Sequence, residues 1–161
     1  MKVLIKAAAL ILLGLLSPAL ATDYDFDLNA PGTPALSGPI ELVAGDTARF
    51  VINEQPSTGY IWHYLPHEDR GIPDEEAVYT VELDEYREPI FASMQADGTA
   101  GDAPTGVMGT RVIQIRAQQA GSDTIEMVYV RPWEIQEGAP LHTNDHAGHH
   151  VLKIEVSPAE Q

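Results

Sequence analysis

The chain is predicted to fold as an all-β, immunoglobulin-like antiparallel β-sandwich of about seven to eight strands. Three observations carry that expectation. Apolar and polar residues alternate with period two in one segment after another, helical periodicity does not recur, and turn-forming residues separate the alternating runs.

Taken in order, Ile40 and Leu42 alternate with Glu41 and Val43, and Ala48, Phe50 and Ile52 alternate with Arg49, Val51 and Asn53. Residues 60–64 form a third run, in which Trp62 is placed to be a core indole of the sandwich. Tyr79, Val81 and Leu83 alternate with Thr80 and Glu82; Ile113, Ile115 and Ala117 with Gln114 and Arg116. Residues 124–130 and the run Leu152, Ile154 and Val156 complete the set. Between them stand Ala44, Gly45 and Asp46, then Gly59, then residues 120–123 and 138–140, all rich in turn formers. Residues 66–76 read as an acidic surface connection, and residues 22–37, rich in Asp, Pro and Ala, as a loosely held leader. One domain over residues 38–161 follows, with no internal repeat.

Residues 1–21 have the grammar of a signal peptide: Lys2 and Lys6 at a basic start, an apolar run over 7–16, and Ala19, Leu20 and Ala21 before the expected cleavage point. Export to a periplasmic or secreted location is the expectation. The chain has no cysteine, which excludes disulfides, thiolate metal sites and a catalytic thiol. Its formal net charge is −15, and loss of Lys2 and Lys6 takes it to −17. Such a surface repels phosphate backbones and anionic lipid, so neither nucleic acid nor membrane is an expected partner.

Three connections depart from ordinary turn chemistry. Residues 53–62 read NEQPSTGYIW, residues 97–111 read DGTAGDAPTGVMGTR, and residues 129–134 read YVRPWE. Alternate connections of a sandwich share one end, so the three are expected to cluster. Each alone also has a plain reading. Pro56 and Gly59 suit a turn, Gly98, Gly101, Gly106 and Gly109 suit a floppy loop, Trp133 suits a core position, and Arg131 suits a strand end.

Together, in this order and with strand-like spacers, they resemble the chagasin-type inhibitors (family I42) of papain-like cysteine proteases. Gln55, Pro56, Ser57, Thr58, Gly59 and Tyr60 match that family's first loop, commonly Asn-Pro-Thr-Thr-Gly followed by Tyr or Phe. Gly106, Val107, Met108 and Gly109 match its glycine-rich second loop, and Arg131, Pro132 and Trp133 its third. Gln55 and Ser57 are departures from the usual residues, and the second loop lacks the family's denser glycine doublets. The resemblance implies a reversible, non-covalent inhibitor, monomeric when free and needing no cofactor. Its first loop would enter a protease cleft and bring Thr58 and Gly59 near the catalytic cysteine, with the other two loops gripping either side. Arg131 would serve either by contact or by holding its own loop.

Residues 142–150 read HTNDHAGHH and hold four of the six histidines. Imidazoles ligate zinc, copper or nickel, but this spacing matches no closed site. His142, His146, His149 and His150 therefore stand as candidates for adventitious capture by a solvated loop. Two rival functions remain: an immunoglobulin-like binding module without inhibitory activity, and a periplasmic metal-binding protein centred on those histidines. No Gly-x-Ser-x-Gly elbow, His-Glu-x-x-His pair or P-loop marks the chain as an enzyme.

Overall fold

Seven strands form where the alternation places them, and an eighth precedes them. The computed structural model describes residues 21–32, 37–88, 108–135 and 147–159. Its strands are β1 (Asp23–Asp27), β2 (Ile40–Val43), β3 (Thr47–Glu54), β4 (Ile61–Tyr64), β5 (Tyr79–Arg87), β6 (Gly109–Ala117), β7 (Gly121–Val130) and β8 (Gly148–Ser157). They make two four-stranded sheets, ordered β1-β3-β6-β5 and β2-β8-β7-β4. The residues expected to face inward do so: Ala48, Phe50 and Ile52 of β3, Ile113, Ile115 and Ala117 of β6, and Leu152, Ile154 and Val156 of β8 are buried in one cluster. Trp62 joins them, 8 % exposed, as its place in the third alternating run predicts.

Four features differ from the sequence reading, each for a local reason. Residues 23–27 are no loose leader; they pair in parallel with β3, from Asp23 opposite Thr47 to Asp27 opposite Val51. Phe26 stacks on Phe50 at 5.4 Å between ring centroids, so the acidic segment is held by its aromatic residues. The sandwich is also not wholly antiparallel, since β2 runs parallel to β8 as well. The turn at Ala44, Gly45 and Asp46 crosses between sheets, and the buried Asp46 carboxylate pins it by accepting the N–H groups of Thr22 and Val43 at 2.7 and 2.8 Å.

In β5 the register slips between Val81 and Leu83. This bulge shifts the cross-strand pairing by one residue: Leu83 aligns with Gln114, while Asp84 and Tyr86 align with Ile113 and Arg111. The connection over 66–76, finally, is only partly a surface one. His67 is buried, its Nε2 lies 2.7 Å from Asp123 Oδ2, and Arg70 donates to Asp123 Oδ1 at 3.0 Å. Arg70 also reaches the buried Tyr79 hydroxyl at 3.2 Å. This polar clasp lies where β7 begins, at the pole of the sandwich opposite the ends of β3 and β7.

Candidate functional site

Loop 1 spans residues 55–60 between β3 and β4, and its sequence makes it stiff. Pro56 opens a single 3-10 turn, Pro56–Thr58, and Gly59 closes it in the left-handed region at φ +83°. The Thr58 N–H donates to the Gln55 carbonyl at 3.0 Å and the Gly59 N–H to the Pro56 carbonyl at 2.8 Å. The Thr58 hydroxyl also donates to the Gln55 carbonyl, at 2.7 Å. Pro56, Ser57 and Thr58 are exposed, whereas Gln55, Gly59 and Tyr60 are partly covered. The result is a small-tipped projection with its polar groups turned onto itself.

Loop 3 begins at Arg131, after β7, and continues into a second 3-10 turn, Pro132–Glu134. The Glu134 carboxylate accepts the Arg131 N–H at 3.1 Å and sits 3.7 Å from its guanidinium. Trp133 is 68 % exposed, so its reading as a core residue is ruled out. The Arg131 guanidinium lies 4.8 Å from the centre of the Tyr60 ring and 5.8 Å from that of Trp133. It bridges loops 1 and 3 by cation–π contact.

The two loops meet directly. A β-carbon built on Gly59 would stand 3.4 Å from the Trp133 ring, and the Thr58 and Tyr129 hydroxyls are 3.5 Å apart. Beneath them runs a stack of rings. Tyr60 packs on Tyr129 at 5.4 Å, Tyr129 on Trp62 at 5.0 Å, and Trp62 on His150 at 4.9 Å. Tyr60 is thus a buttress between the core and Arg131.

Loop 2 enters the described residues at Met108, which is half exposed; Gly98, Gly101, Gly106 and Val107 lie outside them. Gly109 is already the first residue of β6, buried and paired with Glu54. A side chain at Gly109 would collide with the Tyr86 ring, so glycine is required there by packing. This register sets Met108 beside the start of loop 1. Loop 1 therefore lies beside Met108 along the first sheet and beside loop 3 along the second, at one pole.

The histidine-rich stretch is not a simple solvated loop. His149 and His150 belong to β8 and point to opposite faces, as neighbours in a strand must. His149 lies 3.6 Å from Glu126, while His150 lies against Trp62, its pKa lowered by burial and by His149. One ion cannot take both as ligands. Among the described residues no group of three potential ligands gathers; His142 and His146 lie outside them.

Three supporting residues escaped the sequence reading. Glu54 is 1 % exposed and its Oε2 accepts the Trp62 N–H at 2.6 Å. Parity could have found it, since 54 continues the inward row of 48, 50 and 52. Tyr129 follows in the same way from Ile125 and Met127. Tyr86 had no such signal, because the β5 bulge shifts the pairing before it.

A family model described as Chagasin family peptidase inhibitor I42 matches residues 41–145. No curated protein matches. Among solved structures, the cysteine protease inhibitor EhICP2 from Entamoeba histolytica superposes with a TM-score of 0.53 at 15 % identity, over 85 % of this chain and 97 % of its own. Amebosin gives 0.40 at 19 % identity over 86 % and 98 %. PbICP-C, in its complex with falcipain-2, gives 0.43 at 15 % over 86 % and 90 %. The EhICP2 likeness speaks for a shared fold; the other two superpose too loosely to add to it.

Proposed function

The chain belongs to the chagasin family of peptidase inhibitors and is a cysteine protease inhibitor, and we propose that it blocks papain-like enzymes by seating loops 1, 2 and 3 together in and around the active-site cleft. The observation that carries this reading is the placing of Gly59 beside Trp133, whose ring would stand 3.4 Å from a β-carbon at that glycine, with Arg131 against both Tyr60 and Trp133. It joins a small, stiff tip to a large exposed ring on one continuous surface. Thr58 and Gly59 are narrow enough to enter a cleft, and their turn is ordered before binding, so little conformational entropy is lost on association.

Trp133 is the anchor. A planar ring of this size, exposed when free and held from behind by Arg131, has the character of a binding hot spot. Met108, with Gly106 and Val107, would flank the tip on the other side, where glycines allow main-chain hydrogen bonds with an extended segment of the enzyme. No covalent step is involved. The basic start, apolar run and Ala19, Leu20 and Ala21 support export, with the inhibitor acting as a monomer in the periplasm or outside the cell.

The experiment is inhibition of papain by the chain beginning at Thr22 and by two variants. Trp133→Ala is expected to weaken binding by about 2 kcal/mol, and Thr58→Ala to raise Ki measurably, both with thermal unfolding nearly unchanged. Ki values equal to wild type for both variants would remove these loops from the interface.

A further inference from the structure

Loop 1 differs from a hairpin in one consequential way. β3 lies in one sheet and β4 in the other, so no backbone ladder ties the two feet of the loop together. Two side-chain bonds stand in its place. The Glu54 carboxylate accepts the Trp62 N–H at 2.6 Å, and the Trp62 indole N–H donates to the Asn53 carbonyl at 3.1 Å.

Of these, the first is the stronger tie, being short, charge-assisted and shielded from water. It is also an expensive one to build. Burial raises the Glu54 pKa, the Trp62 N–H and Arg111 oppose the rise, and Asp84 adds to it. An apolar residue would fill the same space without that desolvation, but would leave the Trp62 N–H unmatched.

We infer that Glu54 is a positioning residue of the inhibitor: its carboxylate clasps the two feet of loop 1 across the sheets and so fixes the pose in which Thr58 and Gly59 are presented. The inference rests on the loop reading above. Because Trp62 also supports Tyr129, and Tyr129 supports Tyr60, loosening this foot reaches loop 3 through the ring stack as well. Glu54 itself touches no protease; it acts through the backbone it holds.

The test compares Glu54→Leu, Glu54→Gln and Trp133→Ala, with Val156→Ala as a control of similar burial at the far pole. Papain Ki, dissociation rate and hydrogen exchange of the Trp62 amide are measured for each. Glu54→Leu is expected to raise Ki about tenfold, the worth of one buried charge-assisted hydrogen bond, with faster dissociation and faster exchange at Trp62. Glu54→Gln keeps an acceptor and is expected to stay within about twofold of wild type. Val156→Ala should lose stability and leave Ki alone.

If Glu54→Leu does not fold, Glu54→Asp takes its place, since one methylene less keeps the charge but shortens the reach; Ki should rise there too. Unchanged Ki in Glu54→Leu or Glu54→Asp, alongside a large loss in Trp133→Ala, would overturn the clasp and leave the loops standing. No loss in Trp133→Ala would overturn both. A rise in Ki for Val156→Ala equal to that for Glu54→Leu would reduce Glu54 to a general contributor to stability.

Discussion

Gly59 shows how tightly single positions are constrained at this pole. Its φ of +83° disfavours any residue with a β-carbon, and the space such a carbon would enter is bounded by Trp133. Gly59→Ala is therefore expected to cost about 1 kcal/mol of stability and to raise papain Ki by straining the turn that presents Thr58; differential scanning calorimetry and inhibition kinetics check the two parts. Glu54 gives a prediction of opposite kind. Its raised folded pKa means that its stabilising contribution is present below about pH 4.5 and is lost as pH rises through the folded value. Glu54→Gln does not titrate, so the Tm of this variant minus that of wild type should grow between pH 4 and pH 7. A gap that shrinks over that range would show that the carboxylate is not penalised by burial.

At the scale of elements, the two poles have separate tasks. The far pole is fastened by Asp123, which receives Arg70 and His67 together. Burial alone would raise the Asp123 carboxyl, but bonds from Arg70, the Thr124 N–H and His67 outweigh it and hold the pKa low. The depressed value places its contribution above the ordinary carboxylate pKa and removes it as pH falls through the folded one. Asp123→Asn leaves the largely covered Arg70 side chain without its counter-charge and is expected to cost about 3 kcal/mol, read as a lower denaturation midpoint. Papain Ki should not move. The strands themselves were legible because period-two alternation is a direct print of a half-buried sheet. What alternation could not show were events that break or bypass it: the β5 bulge that shifts the pairing of Asp84 and Tyr86 onto Ile113 and Arg111, the β1 edge held by Phe26 on Phe50, and the crossing of Asp46 between sheets.

For the whole molecule, the sandwich is a frame that brings loop 1, loop 3 and the facing ends of β5 and β6 to one end, and the convergence of loops 1 and 3 was readable from strand order alone. The grip between them was not. Glu54 beneath Trp62 is a contact between sheets, while Arg131 over Tyr60 and Gly59 beside Trp133 lie just past the last β4–β7 pair, and sequence periodicity reports only which face a residue takes, not what meets it there. The same limit explains the histidines. Counted along the chain His149 and His150 look like partners, yet a strand sends them apart.

The most direct measurement of the central claim is a titration of active-site-counted papain with the chain beginning at Thr22. Activity should fall to zero at one inhibitor per enzyme, competitively with substrate and with full recovery of both proteins uncleaved on dissociation. Papain that keeps its activity at a large excess of inhibitor, or inhibition indifferent to substrate concentration, would contradict a plug formed by these three loops.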